Sequence, residues 1–113
     1  MANGAAGLIG LSFRAGKMVI GAQAVRDALR TGKAHLVLVD GGASENTRKE
    51  FTDACAYRNV DIAALLPGLL GEASGRPGRM VAAVTDSPLA NGIRKSIQKH
   101  DKTNSDTENA GVH

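Results

Sequence analysis

Aromatic side chains are scarce in this chain of 113 residues: it has no tryptophan, and Phe13, Phe51 and Tyr57 are its only rings of that kind. A sheet that binds single-stranded nucleic acid by stacking successive bases needs more, so that mode is excluded as the main one. Cysteine is scarcer still. Cys55 stands alone, which rules out an internal disulfide or a cysteine-rich zinc site, and its apolar neighbours mark it as a buried thiol rather than a nucleophile. The three histidines, His35, His100 and His113, are scattered, so neither a metal site nor a Ser-His-Asp arrangement has candidates. No run reaches the roughly 18 apolar residues that cross a bilayer, and the opening MANGAAGLIGL lacks the charged start of a secretory signal. A cytoplasmic protein without membrane contacts is expected.

Catalytic machinery is missing as well. Asp27, Glu50, Asp53 and Glu72 fall on the polar faces of expected helices, where solvation accounts for them without acid or base chemistry. The stretch from Gly10 to Met18 superficially resembles a phosphate loop. It has five residues rather than four between the glycines, and Met18 replaces the Ser or Thr that would bind magnesium. The chain therefore reads as non-enzymatic, with no cofactor and no metal.

What is present is positive charge, unevenly placed. The net charge is +3, but residues 100–113 hold one lysine against Asp101, Asp106 and Glu108, leaving residues 1–99 with 13 basic and 8 acidic side chains, an excess of +5. That sign fits a nucleic-acid partner. The polar composition of 100–113 predicts a disordered tail, and 1–99 a single domain large enough to bury its own core.

Apolar spacing predicts the order of elements. Leu8, Leu11 and Ala15 fall at helical spacing over 7–15; Lys17–Ile20 is a brief strand; Ala22–Thr31 is a helix with Val25, Ala28 and Leu29 inward. Leu36–Val39 is a continuous β-prone run, so its strand needs cover on both faces. Ser44 is placed to cap a helix that buries Phe51, Ala54, Cys55 and Tyr57 and ends near Asn59. A strand over Val60–Leu66 follows, then a short helix with Pro67 at its first position, the loop Ser74–Arg79 and a strand over Met80–Val84. Ser87-Pro88 would open the last helix, with Leu89, Ile93 and Ile97 inward and Arg94, Lys95 and Lys99 solvated. Strands alternating with helices imply an α/β fold, a three-layer α/β/α sandwich around a mixed sheet of about four strands.

The basic turn and helix start Arg14-Ala-Gly-Lys17-Met-Val-Ile-Gly21-Ala-Gln-Ala-Val-Arg26 is the stretch most suited to a partner. A glycine at a strand-to-helix junction lets a ligand approach the backbone, and the first helical N–H groups have no internal acceptors. A second cluster of glycine and arginine lies in Arg76-Pro-Gly-Arg79. By themselves these two loops point to backbone-directed nucleic-acid binding of low specificity.

The segments LIGLSFRAGKMVIGAQAV, ALRTGKAHLVLV, GGASENTRKEFTDACAYRNV, LLGEASG and RMVAAVTD, in this order, resemble the ribosomal protein L7Ae superfamily, and most of all its small bacterial YlxQ-type branch. The resemblance runs from about Leu8 to Ile97 and implies binding of kink-turn or related stem-internal-loop-stem RNA, with the ribosome as a candidate assembly and the protein acting as a monomer. In RNA-binding branches a glycine begins the second helix, followed after one residue by an Asn-Glu pair that reads sheared G·A pairs. Those positions are Gly21, Gln23 and Ala24 here, and Asp27 stands where a basic residue is common, with Arg26 beside it. Gln23 keeps a donor and an acceptor, whereas Ala24 offers neither.

The resemblance also implies contacts from the loop before the last strand, through Arg76, Arg79, Met80 and Val81, and from Ser44 and Arg48 at the start of the third helix; Lys17 adds charge. RNA internal loops are read through splayed bases and backbone shape, for which few aromatics are needed. The alternative is a protein-interaction adaptor on the same fold, which the Ala24 replacement would suit. If structured RNA binds, three to five phosphate contacts should give a log–log slope of affinity against salt on the order of −3 to −5. A titration at several salt concentrations reads this directly, and a slope near zero would favour the adaptor.

Overall fold

The computed structural model describes residues 3–97, so the segment 100–113 lies outside the described residues. In chain order the elements are α1 (Asn3–Arg14), β1 (Met18–Ile20), α2 (Ala22–Arg30), β2 (Leu36–Asp40), α3 (Glu45–Arg58), β3 (Asp61–Leu65), α4 (Leu69–Ser74) and β4 (Val81–Val84). A last helix, α5, covers residues 87–97. The strands lie in the order β1-β4-β2-β3, with β4 antiparallel to both of its neighbours and β2 parallel to β3. Among the described residues no helix is long and apolar enough to cross a membrane.

The sheet is mixed, and its two faces carry separate cores. Leu36, Leu38, Ala82 and Val84 point to one side, where Ile9 of α1, Leu70 of α4 and Ile93 of α5 cover them. Val37, Val39, Val81 and Ala83 point to the other, against Val25 and Leu29 of α2 and Phe51 and Cys55 of α3. This is the three-layer sandwich expected from the unbroken apolar run of β2, every residue of which is buried.

Several local expectations are corrected. Helix α1 starts four residues earlier than its spacing implied and buries Ala5, Ile9 and Ser12, while Leu11 is 47% exposed. Ser12 survives on the buried face because its hydroxyl donates to the Leu8 carbonyl at 2.8 Å. Tyr57 is 83% exposed. It lies two residues past Cys55, about 200° around the helix, and so points away from the sheet. Asp86 rather than Ser87 caps α5, its carboxylate accepting the Leu89 N–H at 3.0 Å. Arg94 is no solvated face residue: its guanidinium meets the Asp61 carboxylate at 2.8 Å and donates to the His35 carbonyl at 3.2 Å, tying α5 to the edge of the sheet.

The largest correction concerns α4, which begins at Leu69 instead of Pro67. Gly68 turns the chain with φ 84°, and the cap is supplied from 30 residues away. Asp40, at the end of β2 and only 1% exposed, accepts the N–H groups of Gly68 at 2.9 Å, Leu70 at 3.1 Å and Gly42 at 2.9 Å. One buried carboxylate thereby fixes both the β2–α3 loop and the start of α4. Burial alone would raise its pKa, but the three backbone donors outweigh that cost and hold it below the ordinary carboxylate value.

A carboxylate whose pKa is lower folded than unfolded contributes stability above the unfolded value, near pH 4, and loses it as the pH falls towards the folded value. Asp40→Ala leaves three N–H groups, that of Leu70 in a buried contact and those of Gly42 and Gly68 in partly buried ones, without their acceptor and should cost about 3 kcal/mol, with Asp40→Asn costing less because its amide oxygen still accepts. Urea denaturation at neutral pH and at pH 3 checks both statements. The Asn variant should lose less stability than the wild type between the two conditions.

Candidate nucleic-acid interface

The C-terminal ends of β1, β2 and β3 and the N-terminal end of β4 meet at one edge of the sandwich. Two backbone bonds clasp the start of β4 there: the Gly21 N–H donates to the Val81 carbonyl at 2.9 Å, and the Asp40 N–H to the Met80 carbonyl at 2.8 Å. Gly21 is the N-cap of α2 with φ 111° and ψ 151°, a region essentially closed to other residues, and no side chain caps the helix. The first N–H groups of the helix therefore have neither an intrahelical acceptor nor a side-chain cap. A side chain at Gly21 would meet Nη1 of Arg79 at 3.4 Å, so an arginine stands beside the open helix start.

The loop carrying that arginine turns at Gly78, with φ 81°, and Arg79 N–H reaches back to the Arg76 carbonyl at 3.4 Å. Between this loop and α4 lies a shallow groove of about 310 Å³, lined by Gly68, Gly71, Pro77, Arg79 and Met80 among others. The β2–α3 loop lies on the other side of Met80. Gly42 comes near Met80, and Ser44 caps α3 by accepting the Thr47 N–H at 3.2 Å. Arg48 folds back towards the Ala43 carbonyl at 3.4 Å. Gly21, Gln23, Ser44, Arg48, Arg79 and Met80 thus belong to this one edge.

The other candidates are placed differently. Lys17 sits at the opposite end of β1, its carbonyl bonded by the Thr85 N–H, roughly 13 Å along the strand from Gly21. Arg76 lies over the Phe13 ring at 5.1 Å, on the α1 side. The Val81 side chain is buried in the core, so only its backbone can serve the edge. Arg26 turns towards α3, where Nε and Nη2 hold the Glu50 carboxylate, the second at 3.1 Å, and its guanidinium lies 5.7 Å from the Phe51 ring centre. The hydrogen bond with Glu50 raises the Arg26 pKa against the opposing effect of burial, and lowers that of Glu50 in the same way.

Gln23 is engaged on both sides. Its Oε1 accepts from Arg26 Nη1 at 3.3 Å, and its Nε2 donates to Asp27 at 3.2 Å. Glu50 was missed as part of this neighbourhood because it is 24 residues from Arg26, and no local spacing signals such a pair. Among the described residues no group of three or more His, Cys, Asp or Glu could hold a metal ion.

The sequence profile of the ribosomal protein L7Ae/L30e/S12e/Gadd45 family matches residues 5–97, nearly all of the folded part. The chain belongs to that family. Its relatives within the L7Ae family include the RNA-binding protein YlxQ of Bacillus subtilis, 41% identical over 85 residues that make up 74% of this chain and 85% of that protein. The RNA-binding protein YlxQ of Enterococcus faecium is 34% identical over 92 residues, 80% of this chain and 88% of the relative. A solved protein of unknown function from Bacillus halodurans superposes with a TM-score of 0.80 at 26% identity, covering 83% of this chain and 96% of that one. A Giardia lamblia 15.5 kD RNA-binding protein shares the fold with a TM-score of 0.69 at 21% identity, covering 83% of this chain and 82% of that one.

Gly21→Ala tests how firmly this edge is built. An alanine must either leave the φ 111° conformation or bear the strain, so the variant should lose about 2 kcal/mol in urea denaturation. A variant as stable as the wild type would show that the junction can relax into an ordinary helix start.

Proposed function

We propose that this chain is a non-enzymatic RNA-binding protein that recognises a bent, structured RNA of the kink-turn type, acts in the cytoplasm as a monomer, and works in association with the ribosome. The observation that carries the reading is the junction at Gly21: an uncapped helix start with a backbone only glycine adopts, flanked by Arg79 and followed by Gln23. In a family whose relatives here are RNA-binding proteins, that junction brings together N–H donors without a side-chain cap, one cation and one amide, groups of the kind that contact phosphates and base edges. No cofactor is needed for such recognition.

The contacts divide by chemistry. Arg79, on a loop and free to follow a backbone, meets phosphate, while the Gln23 amide reads a base edge with the donor and acceptor left over from its internal bonds. Met80 and the groove beside it supply apolar surface for a base turned out of the stack. Ser44 and Arg48 extend the contact along the β2–α3 loop. Ala24 contributes no polar group, and this favours the adaptor as the second reading.

Electrophoretic shift of a kink-turn RNA beside the same RNA lacking its G·A pairs tests the proposal. Gln23→Ala should remove the difference between the two by costing about 1–3 kcal/mol on the kink-turn alone. Arg79→Ala should weaken both RNAs nearly alike and reduce the salt slope by about one unit. Ala24→Glu should tighten the kink-turn selectively. Equal weakening of both RNAs by Ala24→Glu, with no effect of Gln23→Ala, would transfer the lead to the adaptor.

A further inference from the structure

Four side chains form a chain of contacts across the α2–α3 boundary: Glu50 to Arg26, Arg26 to Gln23, and Gln23 to Asp27. The order matters because a glutamine amide is asymmetric. Its oxygen faces the Arg26 guanidinium and its nitrogen the Asp27 carboxylate; the flipped amide would set donor against donor and acceptor against acceptor. The amide therefore has one preferred face, and one N–H and one lone pair remain for a ligand. That preference depends on where Arg26 is held, and the residue that holds it is Glu50, on a different helix, through a two-point contact that a planar guanidinium fits well.

Arg26 is also a surface cation one helical turn from the open start of α2, with 45% of its side chain exposed. Left without Glu50, its long side chain would be available to any nearby phosphate. Such a contact adds affinity for all RNA and discriminates between none.

We propose that Glu50 is a positioning residue for RNA specificity: through Arg26 it presets the Gln23 amide and withholds the Arg26 charge from indiscriminate phosphate binding. The inference rests on the RNA-binding reading of this edge. It assigns a role favourable to recognition to an acidic residue, which simple electrostatics would count as a loss at an RNA-binding surface.

The experiment has one arm without RNA and one with it. The chain has only two glutamines, Gln23 and Gln98, so the Gln23 side-chain amide resonances are identified by their disappearance in Gln23→Ala. Glu50→Ala should shift those resonances, and Glu50→Asp should shift them less. With RNA, Glu50→Ala should raise affinity for a plain duplex about threefold, steepen its salt slope by about one unit, and reduce the preference for the kink-turn about fivefold. In an Arg26→Ala background the same Glu50 change should alter neither preference nor slope.

A Glu50 effect of equal size with and without Arg26 would show simple charge repulsion and overturn the proposal. So would Gln23 resonances indifferent to Glu50 in a protein that does prefer the kink-turn. A wild-type protein with no preference would instead sink the functional reading, and with it the role of Glu50 in recognition. Both residues are about half exposed, so neither substitution threatens the core.

Discussion

A single buried carboxylate organises the end of the molecule that carries the candidate interface. Asp40 ends the central strand β2 and collects N–H groups from its own loop and from the start of α4. Its backbone N–H at the same time pairs with Met80, so the loop carrying Arg79 is registered against the same residue. Gly41 lies close under this arrangement; a side chain there would come within 2.7 Å of the Leu65 carbonyl and strike Pro67. The loops of the candidate interface are thus held by the sheet, which matters because preorganised donors lose less freedom on binding than mobile ones.

The layering was legible from sequence for a clear reason. Leu36–Val39 has no polar alternation, and a strand of that kind demands helices on both sides. Val25, Ala28 and Leu29 also revealed their helix face, because α2 is strongly two-sided. The failures have equally specific causes. Helix α1 is apolar or small nearly all round, so several faces were open to it, and Ser12 gave no hint of burial because its hydroxyl is satisfied within its own helix. The start of α4 depends on a carboxylate some thirty residues earlier, and no window of sequence contains both partners.

The site shows the same division. Gly21 and the Arg76–Arg79 loop could be marked from residue type, and the family resemblance rather than the glycines and arginines themselves singled them out from ordinary turns with solvated charges. Their convergence could not: it depends on β4 pairing antiparallel to β1, which brings residues 21 and 79–81 together across nearly sixty positions of chain. The same pairing sends Lys17 to the far end. Arg26 is marked by its sequence position as a contact to an anionic partner, but whether a cation is free depends on its neighbours, and its pairing with Glu50, 24 residues away, has no local signal.

Cys55 is the only thiol of the chain, lies on the sheet-facing side of α3, and is raised to a pKa of about 11 by burial, with the Asp61 charge adding to the effect. Since the thiolate is the reactive form, the folded protein presents almost none of it at neutral pH. Alkylation of Cys55 therefore has to wait for α3 to leave the sheet. Cys55 thus reports on the opening of its own helix, whose Phe51 shares the same core: as the open population where reclosing outpaces the reagent, and as the opening rate where the reagent is faster.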